Sequence, residues 1–314
     1  MKNEMSSREI SVVVPVYNSS AILPQLVKEL EAVLPKCSDR FELILVNDAS
    51  PDQSWQVIVG LAREYTWIRG INLMRNAGQH SALLCGIRAA KHEIIATMDD
   101  DLQNPPAELP GLLEKLQEGF DVVYGIPEHE RHGLLRNLSS RIAKLVLQNA
   151  MGAEIAQNIS AFRVFRTQVR EAFQHYHGPF VSIDVLLTWG TTRFGALRVR
   201  HESRRDGVSG YTLRALVAHA LNMMTGFSVL PLQVASLIGF TFTAFGLLAL
   251  AFVIGGWLLH GSPVPGFPFL ASLIAIFSGA QLFALGIIGE YLARMYFRTM
   301  DRPAYTVRST ALVD

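Results

Sequence analysis

The sequence predicts an α/β domain with a mostly parallel sheet, followed by a juxtamembrane amphipathic helix and a two-helix transmembrane hairpin. Three observations carry this. From Ile10 to Gly125 the chain alternates between short β-branched runs and amphipathic stretches, the pattern of a parallel sheet with helices on its faces. From Ala215 to Gly289 there is not one Asp, Glu, Lys or Arg. And three consecutive carboxylates, Asp99, Asp100 and Asp101, directly follow the apolar run Glu93-Ile94-Ile95-Ala96-Thr97, so the chain's most concentrated charge stands at the end of a buried strand.

Strands are predicted at Ile10 to Pro15, Phe41 to Asn47, Ile68 to Leu73, Glu93 to Met98 and Asp121 to Tyr124, with helices between them. The stripe Ile22, Leu26, Val27, Leu30, Val33, Leu34 has helical apolar spacing, and Leu109, Leu112, Leu113, Leu116 repeats it. Those residues are core. Beyond Gly125 the pattern weakens to a helix at Leu134 to Ala150, a strand at Ala161 to Phe165, a helix near Ile183 to Trp189 and a strand at Gly195 to Arg200. Then Leu213, Leu216, Val217, Ala220, Leu221, Met224 and Phe227 recur at i, i+3, i+4, i+7. Standing just before a membrane span, this stripe favours a helix lying at the interface over one packed on the globular domain.

Val229 to Leu259 and Phe267 to Gly289 each exceed the roughly 20 apolar residues that cross a bilayer. His260-Gly261-Ser262-Pro263-Val264-Pro265-Gly266 between them is too polar and too broken to stay helical. The lengths and the lack of a polar face argue against a pair of buried core helices. The expected organisation is a first domain over 1–210, the juxtamembrane helix over 211–228, the hairpin over 229–291 (spans near 229–259 and 267–290) and a tail over 292–314. Arg198, Arg200, Arg204, Arg205 and Arg214 precede the first span, Arg294, Arg298, Arg302 and Arg308 follow the second, and the connecting turn has no basic residue but His260. By the positive-inside tendency both long ends face the cytoplasm, which places the chain in the inner (cytoplasmic) membrane.

Met1 to Glu9 is polar with no apolar core, so no secretory signal is expected. Cys37 and Cys85 are too few and too far apart for a disulfide framework or a zinc site. A net charge of +1 argues against a nucleic-acid partner. Homo-oligomerisation is left open.

Adjacent acids repel one another and resist desolvation, so a packed chain holds Asp99 to Asp101 together when a cation or a run of donors neutralises them. A set of oxygen ligands at the C-terminal end of a strand suits a hard divalent metal, and ligands of open α/β sheets bind at that edge. The competing reading is a solvated Asp-Pro turn. Two more predicted strands end at the same edge, in Val14-Pro15-Val16-Tyr17-Asn18 and Val46-Asn47-Asp48-Ala49-Ser50. There Asp48 can accept from the N–H of a base and Tyr17 can pack on its face, although Asn-Asp-x-Ser is also an ordinary turn or helix cap. In Met74-Arg75-Asn76-Ala77-Gly78-Gln79-His80, Gly78 permits close backbone approach and Arg75 can pair with phosphate. His80 reads as a structural hydrogen-bonder, since no second His stands at ligand spacing.

Pro15-Val16-Tyr17-Asn18, Asn47-Asp48-x-Ser50, Arg75-Asn76-x-Gly78-Gln79-His80 and Asp99-x-Asp101-Leu102-Gln103-x-Pro105-Pro106, in this order, resemble family 2 glycosyltransferases, and within them the polyisoprenyl-phosphate branch. The resemblance continues through Ser160-Ala161-Phe162-Arg163-Val164-Phe165-Arg166 and Arg204-x-x-Gly207-x-Ser209-x-Tyr211 to Gly289-Glu290-Tyr291-Leu292-x-Arg294-x-Tyr296 and Arg302-Pro303-x-Tyr305. It implies a GT-A-like nucleotide-sugar-binding domain. It further implies that Asp99 and Asp101, with Gln103 nearby, hold Mg²⁺ or Mn²⁺, and that Asp48 contacts the base. Pro15, Tyr17, Asn18, Arg75, Asn76, Gln79 and Asp100 would complete the donor site. Arg163, Arg204, Ser209 and Tyr211 would receive the acceptor phosphate.

The chain departs from the family pattern at Ser19, where Glu is usual, at Ala161, where Gly or an acid is usual, and at Gly210, where Lys is usual. The implied reaction moves a sugar, with inversion, from a nucleotide-sugar, UDP-linked on the bacterial-looking resemblance, to a polyprenyl phosphate such as undecaprenyl phosphate, for cell-envelope or glycan modification. Two rivals stand beside it. A membrane polysaccharide synthase would carry a Gln-x-x-Arg-Trp motif and more spans, and an inactive two-span scaffold would have no need of intact acids at Asp99 and Asp101.

Overall fold

The structure, a computed structural model, describes residues 9–127, 159–178, 180–202, 230–260, 266–300 and 302–312. The expected helix at Leu134 to Ala150 and the stripe from Leu213 to Phe227 lie outside the described residues. The chain divides into two units, one of residues 1–217 with 301–314 and one of residues 218–300.

In the first unit the elements run β1 (Glu9–Val16), α1 (Leu23–Cys37), β2 (Arg40–Asn47), α2 (Ser54–Glu64), β3 (Ile68–Leu73), α3 (Gln79–Ala89), β4 (Ile94–Thr97) and α4 (Leu109–Gln117). They continue through β5 (Val122–Pro127), β6 (Arg163–Arg166), α5 (Ile183–Gly190) and β7 (Phe194–Val199), and β8 (Val307–Ala311) closes the set from the far end of the chain. The eight strands form one sheet in the order β7-β5-β6-β4-β1-β2-β3-β8. β1 pairs in parallel with both β2 and β4, and β2 with β3. β6 and β8 run antiparallel to their neighbours.

Every residue of β1 from Ile10 to Val16 is buried, as a strand covered on both faces requires. Val12, Val14 and Val16 join the leucines of α1, α2 and α4 in the main core, including Leu26, Leu30, Leu61 and Leu112. α3 packs on the other face at Gly86, where an added Cβ would lie 2.3 Å from Val13 Cγ1 and 3.1 Å from Val46 Cγ2. The predicted strands and helices here are present within a few residues. β4 is shorter than expected, with Met98 N still donating to Val13 O at 3.3 Å, and β5 runs on to Pro127 because β7 pairs with it along its length. β8 falls in the segment read as a tail.

The second unit contains α6 (Leu230–His260) and α7 (Phe267–Thr299). Phe242 and Phe277 meet edge to face at 6.0 Å, and a Cβ at Gly246 would come within 2.8 Å of Phe277. Outward-facing Phe240, Phe252 and Leu259 are 74%, 80% and 81% exposed, which a water-soluble core helix does not tolerate. Leu232–Gly256 and Ile276–Tyr296 are long and apolar enough to cross a membrane, with neither stretch buried in the protein. The second lies toward the C-terminus of the predicted span and includes Glu290 and Arg294, paired one turn apart at 2.8 Å.

Candidate active site

Four parallel strands deliver their C-terminal ends to one edge of the sheet, and the strand order reverses between β1 and β4. That is where an open α/β sheet forms its crevice. A cleft of about 330 Å³ opens there, lined by Pro15, Val16, Tyr17, Asp48, Asn76, Gly78, Gln79, Asp99, Asp100 and Asp101. Among the described residues its lining holds four aspartates and no Lys or Arg.

The backbone at this edge is strained. Among the described residues the non-glycine residues with positive φ are Asn18 (57°), Ala49 (50°) and Leu102 (57°), which follow β1, β2 and β4. Such conformations cost about 1–3 kcal/mol each and persist where surrounding bonds fix them. The bonds are present. Asn18 N donates to Ser50 Oγ at 2.7 Å, and Gln103 N donates to Asp101 Oδ1 at 3.1 Å across Leu102. Ser50 Oγ and Ser54 N donate to Asp52 Oδ1 at 2.6 and 3.0 Å, and Ser20 N donates to Asp52 Oδ2 at 3.1 Å. Burial pushes the Asp52 carboxyl up, but these donors outweigh it and hold it below its ordinary value.

The four aspartates divide their work. Asp48 accepts Ala77 N at 2.7 Å on Oδ1 and Gly78 N at 2.9 Å on Oδ2, so it pins the loop from which Asn76 and Gly78 line the cleft. Gly78, at φ 88°, occupies a conformation that favours glycine. Asp100 accepts Ser19 Oγ at 2.5 Å and Tyr17 N at 3.3 Å; Ser19, where the family usually has Glu, thus bonds an acid directly. Asp99 accepts Gln79 Nε2 at 2.6 Å from the first turn of α3. Burial raises the carboxyls of Asp48 and Asp100 above their ordinary values despite their hydrogen bonds, and Asp101 raises Asp100 further. Burial thus makes the charged forms of Asp48 and Asp100 costly here, a cost that a bound cation would relieve.

Among the described residues no three His, Cys, Asp or Glu side chains form a ready metal cage. Mg²⁺ is usually held by one or two carboxylates together with substrate phosphates, and Asp99 and Asp101 on an acidic cleft fit that arrangement for Mg²⁺ or Mn²⁺.

Several predicted site residues do not reach the cleft lining. Arg75 is exposed and flanks it, acting on Asp48 through charge. Asn18 supplies a backbone bend. Gln103 N bonds the Asp101 carboxylate across Leu102, and Gln103 is not among the residues that line the cleft. Arg163 is likewise absent from the lining. Its guanidinium is 1% exposed, with Nε donating to Thr97 Oγ1 at 3.0 Å, Nη1 donating to Asp184 Oδ1, and the group lying 5.7 Å from the Tyr124 ring centre. Tyr124 OH donates to the same Asp184 oxygen at 3.0 Å. The charge of Arg163 is balanced by Asp184 and its Nε bonds β4 at Thr97, so it is held away from the cleft lining. Arg204, Ser209 and Tyr211 lie outside the described residues.

The sequence reading missed Asp52 and Asp184. Ser50-Pro51-Asp52-Gln53-Ser54 before an apolar helix was a legible helix-start signal. Asp184, in the first turn of a short apolar helix, carried no comparable signal.

The chain matches the family description "Glycosyl transferase family 2" over residues 11–174. It is similar to the undecaprenyl-phosphate 4-deoxy-4-formamido-L-arabinose transferase of Shewanella sediminis (strain HAW-EB3), 33% identical over 98% of this chain and 94% of the relative. The transferase of the same name from Yersinia enterocolitica is 32% identical over 98% of this chain and 95% of the relative. Among solved structures it is similar to Mycobacterium tuberculosis glucosyl-3-phosphoglycerate synthase in complex with Mn²⁺, uridine-diphosphate and phosphoglyceric acid. That likeness has TM-score 0.52 and 20% identity, covering 69% of this chain and 76% of the other, and shows the GT-A-like fold. With the family match spanning the strands that build the cleft, and relatives a third identical along nearly the whole chain, this protein belongs to glycosyl transferase family 2.

Proposed function

We propose that the chain is a membrane-bound transferase that moves a sugar from a nucleotide-sugar, a UDP-sugar, to a polyprenyl phosphate, undecaprenyl phosphate, releasing the nucleoside diphosphate. The observation that carries this reading is an acidic cleft at the switch point of a family 2 sheet, in the same chain as two exposed apolar helices. The relatives' acceptor, named as undecaprenyl phosphate, supports it. So do Mn²⁺ and uridine-diphosphate in the structural neighbour.

Asp99 and Asp101 would hold Mg²⁺ or Mn²⁺, which when bound supplies positive charge to the departing diphosphate. Tyr17, 48% exposed on the cleft wall, offers a face to the base. Asp48 keeps lone pairs beyond those used by Ala77 and Gly78 and can accept a base N–H. Asn76 and Gln79 are placed to bond the sugar-diphosphate. In the reaction an oxygen of the acceptor phosphate bonds to the anomeric carbon as the bond from that carbon to the diphosphate oxygen breaks, and the electron pair leaves with the nucleoside diphosphate. Direct displacement inverts the centre. A phosphate monoester loses its second proton near about pH 6, so the acceptor needs no strong base. Arg204, Ser209 and Tyr211 are assigned to the acceptor phosphate on their motif.

The reading places the chain in the inner membrane with residues 1–210 and 292–314 on the cytoplasmic side and the amphipathic sequence over 211–228 at headgroup depth. Each Arg near an anionic leaflet adds roughly 1 kcal/mol of attraction. The test is Asp101→Asn at fixed Mg²⁺. Transfer to polyprenyl phosphate falls by about a hundredfold or more, the scale of losing a charge-stabilising group; a wild-type rate contradicts the assignment.

A further inference from the structure

The loop from Met74 to Gly78 forms one wall of the cleft, and Asp48 grips it from inside. A second set of bonds grips it from outside. Met74 N donates to Thr306 O at 2.8 Å, and Arg308 Nη2 donates to Met74 O at 3.2 Å. Both backbone groups of Met74 are thus taken by the segment that follows the second apolar helix.

The strand pairing is built for this contact. β8 runs antiparallel to β3 with Asn72 opposite Ser309 and Leu73 opposite Val307, so Arg308 is an extra residue in the ladder. Such a bulge bends a strand and re-aims a side chain, often beside an active site. Upstream, Tyr305 lies on α3, the helix whose first residue, Gln79, bonds Asp99. Arg88 sits 5.7 Å from the Tyr305 ring centre and donates to its hydroxyl at 3.4 Å. The segment thus fastens both flanks of the loop, at Met74 and along α3.

We infer that residues 304–308 are a positioning element of the donor site, holding the loop 74–78 in its nucleotide-binding shape. This rests on the nucleotide-sugar reading. It gives the chain after the membrane helices a role in donor binding, because the loop wall is complete only when that chain returns to the sheet.

The test uses the full-length protein in detergent and calorimetric titration with UDP at fixed Mn²⁺, beside thermal unfolding. Arg308→Ala weakens UDP binding roughly three- to tenfold, the scale of one lost charge-assisted bond on an exposed loop, with an unchanged unfolding midpoint. Arg308→Lys recovers part of the affinity. A chain ending at Thr306 loses more; should it fail to fold, Arg308→Ala alone decides. UDP binding by Arg308→Ala equal to wild type overturns the inference and leaves the nucleotide-sugar reading standing. A lower unfolding midpoint with unchanged affinity assigns the segment to stability alone and also overturns it. A wild-type chain that binds no UDP overturns both.

Discussion

Single residues at this edge carry opposed electrostatic demands. Arg163 and Asp184 are a buried ion pair bonded to Thr97 and Tyr124. Removing one member strands the other's charge at about 3–5 kcal/mol. Arg163→Met and Asp184→Leu are each expected to lower stability by that order, and the double variant by less than their sum, as a double-mutant cycle of unfolding measures. Full additivity would contradict the coupling. Asp100 shows the opposite balance. Its carboxyl is raised by burial above 3.8, so it holds its proton more tightly folded than unfolded. The unliganded protein therefore gains stability from this group as pH falls from above the raised value toward 3.8. Asp100→Asn is expected to unfold at a higher temperature than wild type at neutral pH, with the gain fading toward pH 3.8, and to bind donor more weakly. Asp52, held below its ordinary value, gives stability present above 3.8 and lost as pH falls through its folded value.

At the scale of elements, the close approach of α3 to β1 and β2 sets Gln79 beside Asp99. Gly86→Ala places a methyl 2.3 Å from Val13 Cγ1, and overpacking of this kind costs about 1–3 kcal/mol. It should lower the unfolding midpoint and, by displacing the helix start, donor affinity; a neutral effect on both would contradict the account of this packing. The strands and the α1 and α4 stripes were legible in the sequence because parallel strands and one-sided helices leave strong apolar periodicity. The cleft was legible for the same reason: Asp48 and Asp99 to Asp101 stand where predicted strands stop. What was not legible depends on distant partners. The Arg163–Asp184 pair was not legible because Asp184 carries no motif on the helix expected near Ile183 to Trp189, and β8 read as a tail because its exposed residues pair only with the edge of β3.

At the scale of the whole chain, two helices long and apolar enough to cross a membrane are what the proposed lipid-borne acceptor calls for. Phe240, Phe252 and Leu259 face outward, as a membrane-spanning helix would leave them. The chain should remain with membranes through an alkaline carbonate wash, and release into the soluble fraction would contradict the reading of both helices. The central claim joins this anchor to the acidic cleft as one transferase. Its most direct test is to incubate membranes containing the protein with a panel of nucleotide-sugars, undecaprenyl phosphate and Mg²⁺ or Mn²⁺, and to weigh the extracted lipid. The account predicts a lipid heavier by one glycosyl residue with one of the donors, lost on chelation of the metal and in Asp101→Asn. Lipid of unchanged mass with every donor, from protein shown to be folded, would contradict it.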